Sequence, residues 1–492
     1  MCSSDSNAVN SLNSLSGEET GGKGGFPKWL LAVMTVFACA MIVWQWAVCR
    51  SMGMLSDYFD YLDAWHTLTR HYPHITRPPL YPLLLGVTTS LLGETAGHIL
   101  LVALNWIIWM IGCRLSWSVM AYFGVNRVLR ISVIFLLMLF SGSWVYNNNL
   151  LPEALCQGMV PLLIWQAIRF VRTRRTVWIV YTFLTALALV FLKPQFISLF
   201  PVLALVWGIA VRRNRHQLLV LSCSLVLSAG LVSCYAWTLR YVYSLSGTIS
   251  VSTYWNRYCT LRMAGLIHTD EIRDSQARHA LAPLIQADPG QYNPEVFMYE
   301  YELQRVSSAQ LQEIVDNVVR RHPAAAAKAF ARPLYQELGR TFFPRNWHER
   351  MPRTAADTAY YQALGWDYRG EDPRCFRHGG ELFMTSPEFK GSAISPTYGL
   401  SFPFWISWLV IILFTGRTIG GALRSRRRAM VPFLMAGILI AGYVTAFVGA
   451  MGDWGRLVNP YTMLLLCAAG VLLTPLLRII RKYHGRYSSS IS

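Results

Sequence analysis

Apolar residues fall in long unbroken runs along this chain rather than in the alternation of a half-buried strand or the stripe of a soluble helix. The run Trp29–Cys49 follows Lys23 and Lys28 and is about 20 residues long, enough to cross a bilayer at about 1.5 Å per residue. No small-residue cleavage site follows it, so it reads as an uncleaved first helix. Further spanning runs lie at roughly 97–115, 131–150, 152–170, 177–192, 195–211, 217–241, 399–416, 430–450 and 457–480. The run Leu80–Gly93 is shorter, covering about 21 Å against a hydrocarbon core of about 30 Å. Two polar stretches interrupt the pattern, at 50–96 and at about 242–398. The second reads as mostly helical, with helical periodicity over Asp270–Gln286 and Tyr299–Leu338 broken at Pro323 and Pro333. Residues 1–26, rich in Ser, Gly and Asn, have the composition of a disordered tail.

Charge settles the status of 80–93. If that run does not span, the cytoplasmic loops and tail hold Arg114, Arg127 and Arg130; Arg169, Arg172, Arg174 and Arg175; Arg212, Arg213 and Arg215; Arg417, Arg424 and Arg426–Arg428; and Arg478, Arg481, Lys482 and Arg486, with no acid among them. The short outer turns then hold only Lys193 and Arg456. A spanning 80–93 would invert everything after it and export all of those charges, against the positive-inside rule. Ten transmembrane helices follow, with both termini cytoplasmic and 80–93 a helix at the outer surface.

Composition agrees. Of 492 residues, 53% are hydrophobic and 14% charged, and the mean hydropathy is +0.33; a soluble chain carries about 25% charged residues. The formal charge of +18 raises the question of nucleic acid. The arginines, however, sit in short clusters between apolar runs, which reads as topology, and no nucleic-acid partner is expected. The ten cysteines include no CxxC pair. Cys259 and Cys375 alone share the long polar region, where a disulfide is permitted if that region is extracytoplasmic.

Chemistry concentrates on the outer side. The first outer loop carries Asp57, Asp60 and Asp63 at i, i+3, i+6, followed by the rigid basic turn Arg77-Pro78-Pro79-Leu80-Tyr81-Pro82. Glu153 follows the turn Asn147–Pro152, Lys193 precedes Pro194, and Asp453 and Arg456 lie between the last two spans. Each has an unremarkable reading: a solvated helix face, snorkelling to headgroups, a helix N-terminus, a surface ion pair. Charges at membrane level are costly beside lipid, so their convergence from five separate turns points to a cavity combining a general base with an anion clamp.

These residues carry a resemblance to the GT-C superfamily of polyprenyl-phosphate-sugar-dependent glycosyltransferases. The sequence is most similar to the bacterial family-39-like branch, which includes aminoarabinose and protein O-mannosyl transferases. That branch has an Asp followed by Tyr four residues on and Ala seven on, matched here by Asp57, Tyr61 and Ala64. Its Pro-Pro-Leu juxtamembrane motif is matched by Arg77–Pro82. Its acid entering helix 4 is matched by Glu153, its base closing helix 5 by Lys193, and its late Gly-Arg-Tyr-x-x-Pro-like turn by Gly455–Pro460. The similarity covers about 27–215 and 450–475. Tyr58 stands where the family has a second acid, and Leu457 where it has Tyr.

The resemblance implies an all-α polytopic membrane protein, a GT-C-like bundle of about ten transmembrane helices with juxtamembrane helices and a mostly helical extracytoplasmic domain. Its parts would be a cytoplasmic tail (1–26), a membrane module (27–241) with catalytic outer loop 50–96, an extracytoplasmic domain (242–398), C-terminal membrane helices (399–482) and a tail (483–492). The implied activity is inverting transfer of a sugar from a polyprenyl-phosphate donor in the membrane to a glycan, lipid or protein hydroxyl, at the periplasmic face of a bacterial inner membrane. Asp57 would be the base. Arg77, Lys193 and Arg456 would hold the donor phosphate, and Asp60, Tyr61 and Glu153 would support the acceptor or a metal. A divalent ion (Mg, Mn or Zn) on Asp57, Asp60 and Glu153 and a metal-free site both fit the pattern. Two rivals stand beside this reading. An O-antigen polymerase or ligase would use Arg332, Arg340, Arg345 and His348 of the outer domain, and a flippase or exporter of lipid-linked glycans would need intramembrane charges at helix midpoints or paired halves.

Overall fold

The computed structural model describes residues 25–49, 52–53, 57–70, 77–242, 252–287, 302, 305–336, 338, 400, 402–424, 429–449 and 454–488. Among these the chain is helical, with no β-sheet and only two isolated bridges. Eight helical segments are long and apolar enough to cross a membrane. They are α1 (Lys28–Cys49), α4 (Glu94–Tyr122), α7 (Glu153–Thr173), α9 (Leu199–Val211, extended by a 3-10 turn Pro194–Ser198), α10 (Arg215–Trp237), α15 (Phe404–Arg424), α16 (Met430–Gly449) and α18 (Thr462–Ser488). The protein is thus an all-α polytopic membrane protein.

The two other expected spans differ in form. Val177–Leu192 is α8, a 16-residue helix. The run 131–150 is not one helix but two, α5 (Arg127–Leu139) and α6 (Ser141–Asn147). Phe140 adopts an extended conformation between them, and Leu400 bridges the gap: its N–H donates to the Leu139 carbonyl and its own carbonyl accepts from Ser141 N–H at 3.0 Å. A helix can break at this depth because a second segment satisfies the freed backbone groups. The weak helix formers Ser141-Gly142-Ser143 lower the cost.

The segment between α1 and α4 packs on the bundle. It holds α2 (Asp57–Thr69) and α3 (Leu80–Leu92), the short helix foreseen at 80–93. Gly93, at φ +77°, turns the chain straight from α3 into α4. There α3 doubles back along α4 so closely that a Cβ on Gly97 would lie 2.7 Å from the Thr89 Cα. On the other flank Trp65 of α2 lies against Gly86 of α3, and Tyr58 of α2 hydrogen-bonds His98 Nε2 of α4 at 2.9 Å. Tyr58 therefore pins α2 to the bundle. Leu83, Val87, Leu91 and Leu92 leave an apolar face of α3 uncovered.

At the heart of the bundle α4 and α7 meet at Gly112 and Gly158, where a Cβ on Gly158 would come within 2.4 Å of the Ile108 carbonyl oxygen. Small residues let membrane helices approach to van der Waals contact where no hydrophobic force separates lipid from protein. At other helix ends arginines rest on aromatic faces, Arg130 on Trp117 at 4.4 Å and Arg169 against Trp165 and Trp178.

The polar region contributes α11 (Ser252–Met263), α12 (Ser275–Ala287), α13 (Ser308–Arg321) and α14 (Pro323–Gln336) around a separate apolar core that includes Tyr258, Leu281, Ile314 and Val318. Helices α11 and α14 both touch α16. A Ser307–Gln310 capping box starts α13. Pro323 opens α14, but Pro333 lies inside that helix and does not break it, contrary to expectation. Arg262, fully buried, pairs with Glu302 at 3.1 Å, and Tyr258 donates to the same carboxylate. Cys259 is buried in α11; its suggested partner Cys375 lies outside the described residues, as do Arg340, Arg345 and His348.

Candidate functional site

Three of the sequence-predicted residues meet in one place. Glu153 opens α7 after Pro152 and is fully buried. Its Oε1 accepts from Lys193 Nζ at 2.8 Å and from Arg456 Nε. The chain holds each partner for a local reason. Lys193 ends α8 in an extended conformation, its N–H still bonded to the Leu189 carbonyl, and Pro194 then starts the 3-10 turn. Arg456 sits in the short helix α17 (Trp454–Val458), which leads through a 3-10 turn at Asn459–Tyr461 into α18. Gln195 Nε2 donates to the Leu457 carbonyl at 3.0 Å, tying the Lys193 turn to the Arg456 helix.

The turn before Glu153 is fixed as firmly. Gly53, between α1 and α2, bonds Asn148 and Leu150 through its backbone. Asn105 Nδ2 donates to the Asn149 carbonyl at 3.1 Å and Trp106 Nε1 to Asn148 Oδ1 at 3.1 Å. A Cβ on Gly53 would lie 2.2 Å from Asn149 Oδ1, so the first loop can approach this turn only through glycine.

Arg77 packs on aromatic rings instead. Its guanidinium lies 4.9 Å from the Tyr61 ring centroid, and Tyr61 meets Tyr81 edge-on at 4.9 Å. Tyr81 is fully buried in α3. Asp57 and Asp60 lie in α2, where helical register puts position 57 one turn from Tyr61 on the same face; the side chains of both lie outside the described residues, as does Asp453. Asp63 is exposed.

The site therefore differs from an open clamp of three cations. Lys193 and Arg456 are neutralised in part by Glu153, and the three together carry a net single positive charge. Removing one partner of such a buried cluster strands the others without water. The ammonium of Lys193 has three donors and Glu153 takes one of them. As a metal ligand Glu153 fits poorly, because a dication there would be repelled by two cations already bonded to it. Among the described residues no three His, Cys, Asp or Glu side chains gather to hold a metal.

One feature escaped the sequence reading. Gln157 follows Glu153 by one turn of α7, and Asn459 follows Arg456 by three residues in the 3-10 turn that packs against α7, so neutral amides adjoin the ion cluster. Asn459 is positioned from the far side by Gly142 of α6, where a Cβ would lie 2.3 Å from Asn459 Oδ1. Gln157, Asn459 and Tyr81 are all fully buried, and both amide groups, the Tyr81 hydroxyl and Glu153 Oε2 have no hydrogen-bond partner among the described residues. Each such atom costs about 1–3 kcal/mol when left unmade, so six of them would cost on the order of 10 kcal/mol, as much as a whole domain's stability. Groups like these are satisfied by bound water or by a ligand. Uncharged Gln and Asn inside an apolar run are easily read as ordinary core, which is why only the fold reveals them.

The fold and the site together define a polytopic helical membrane protein with a buried, net-positive polar centre near the ends of α7, α8 and α17. No family model matches the chain, and no curated protein does. Among solved structures it is similar to the archaeal oligosaccharyltransferase AglB from Archaeoglobus fulgidus, in complex with an inhibitory peptide and a dolichol-phosphate, at a TM-score of 0.42 and 10% identity over 93% of this chain. The apo form of the Archaeoglobus fulgidus oligosaccharyltransferase gives 0.40 and 12% over 94%. ArnT from Cupriavidus metallidurans, bound to undecaprenyl phosphate, gives 0.33 and 10%, over 90% of this chain and 78% of its own. The chain spans about half the length of the oligosaccharyltransferases, 52% and 53%. Likeness of this degree assigns no activity.

Proposed function

We propose that the protein is an inverting glycosyltransferase that moves a sugar from a polyprenyl-phosphate donor to an acceptor hydroxyl at the outer face of the membrane. The observation that carries this reading is the convergence of Lys193 and Arg456 on buried Glu153. A net positive charge held inside a membrane protein by three separate elements is costly unless it serves an anion. A lipid phosphate enters from the leaflet at that depth, and the outer side of a membrane has no supply of nucleotide sugars.

In this reading Asp57 takes the proton of the incoming hydroxyl. The hydroxyl oxygen bonds the anomeric carbon from the face opposite the phosphate, the carbon–oxygen bond to phosphate breaks, and the lipid phosphate leaves with the electron pair. One displacement inverts the anomeric centre. Lys193 and Arg456 stabilise the charge that grows on the leaving phosphate, and Glu153 holds both in place. The charge pattern supports the extracytoplasmic side of a bacterial inner membrane as the location. Replacing Asp57 with Asn is expected to lower transfer by about 10²–10⁴-fold, the usual worth of a general base, without changing the amount of folded protein in the membrane. Transfer at the wild-type rate in that variant would remove Asp57 from the role.

A further inference from the structure

We propose that the neutral polar pair formed by Gln157 and Asn459 is a subsite for an uncharged, hydroxyl-rich sugar ring on the donor; this rests on the lipid-phosphate reading above. The pair adjoins the phosphate-binding charges through one helical turn on each side, Glu153 to Gln157 along α7 and Arg456 to Asn459 along α17 and its 3-10 extension, and that extension packs against α7. That is the distance at which a ring attached to the phosphate lies. Both side chains are fully buried, and their amide groups lack partners among the described residues.

The chemistry of the two amides selects the ligand class. An amide both donates and accepts, which matches sugar hydroxyls that do the same. A cationic amino sugar would call for an unmatched carboxylate, but Glu153 is already bonded to two cations. An anionic uronate would call for a cation pointed at the ring, and Gln157 and Asn459 supply none. The unpartnered atoms have essentially no water-accessible surface, so the ring enters by parting the two elements that carry them, α7 with Gln157 and the turn with Asn459. Their unmade hydrogen bonds favour that opening when hydroxyls arrive to complete them.

The test uses the full-length protein in lipid nanodiscs and measures binding of undecaprenyl phosphate bare, and carrying glucose, mannose, galactose, glucuronate or 4-amino-arabinose. At least one neutral hexose is expected to tighten binding about tenfold or more over the bare lipid phosphate, with neither charged sugar matching it. Gln157→Leu and Asn459→Leu, made separately so that one misfolded variant does not end the test, should each bring that gain down to about threefold or less while leaving bare lipid phosphate within about threefold of wild type. A wild-type protein that binds the bare lipid phosphate but gains nothing from any neutral hexose, or prefers a charged sugar, overturns the subsite while the phosphate site stands. A protein that binds none of the lipids overturns both.

Discussion

Glu153 carries more of the site than its position at a helix start suggests. A carboxylate there gains only about 0.3–1 kcal/mol from the helix dipole, whereas here it is the shared counter-ion of two buried cations. Glu153→Gln keeps the shape and removes the charge, stranding Lys193 and Arg456. The expected cost is about 3–5 kcal/mol, read as a lower midpoint of thermal unfolding in detergent. Adding Lys193→Met should return part of that loss, because one stranded charge is then gone; a double variant less stable than the sum of the singles would contradict the shared-anion picture. The charged residues of this centre were legible in the sequence because a lone Lys, Glu or Arg in an apolar run is conspicuous. Their mutual pairing was not, since residues 153, 193 and 456 are joined only by the packing of α7, α8 and α17. Tyr58 shows the same limit: nothing in the sequence reveals its bond to His98, which docks α2.

Helices were legible where apolar runs were long; their starts were not, although Asn126, Asn214 and Ser307 cap them. The break at Phe140 was hidden, because its compensation comes from Leu400, far along the chain. The two prolines of the polar region differ. Pro323 marks the expected break, falling at a helix start where it costs nothing, whereas Pro333 is carried inside α14. The α4–α7 crossing provides a sharp test at this scale. Gly158→Val must push α7 off the Ile108 backbone and is expected to destabilise by about 1–3 kcal/mol or more. Gly208→Ala on α9 meets nothing within 4 Å and should leave the unfolding midpoint unchanged or slightly raised. Equal effects of the two in thermal unfolding would mean that close approach at Gly158 does not hold the bundle together.

For the whole molecule, the arginine-rich ends and the Glu153 centre should face opposite sides of the membrane. Lys328→Cys, exposed on α14, is expected to react with a membrane-impermeant maleimide added to intact cells, above the background of the wild-type cysteines. Arg213→Cys should react only after permeabilisation. Labelling in the reverse pattern would invert the topology and move the site to the cytoplasm. That the chain is a helical membrane protein was plain from hydropathy alone. The buried amide cluster was not, because nothing in a sequence tells an unpartnered Gln from a satisfied one.

The central claim, that Lys193 and Arg456 around Glu153 form a seat for a lipid phosphate, is tested most directly by titrating undecaprenyl phosphate into the wild-type protein and into Lys193→Met in nanodiscs. Lys193→Met leaves the Glu153–Arg456 pair to hold the fold, and a charge-assisted hydrogen bond to phosphate contributes about 1.5–3 kcal/mol, so affinity should fall about 10–100-fold in a variant that remains folded. Binding of equal strength to the two proteins would contradict the account.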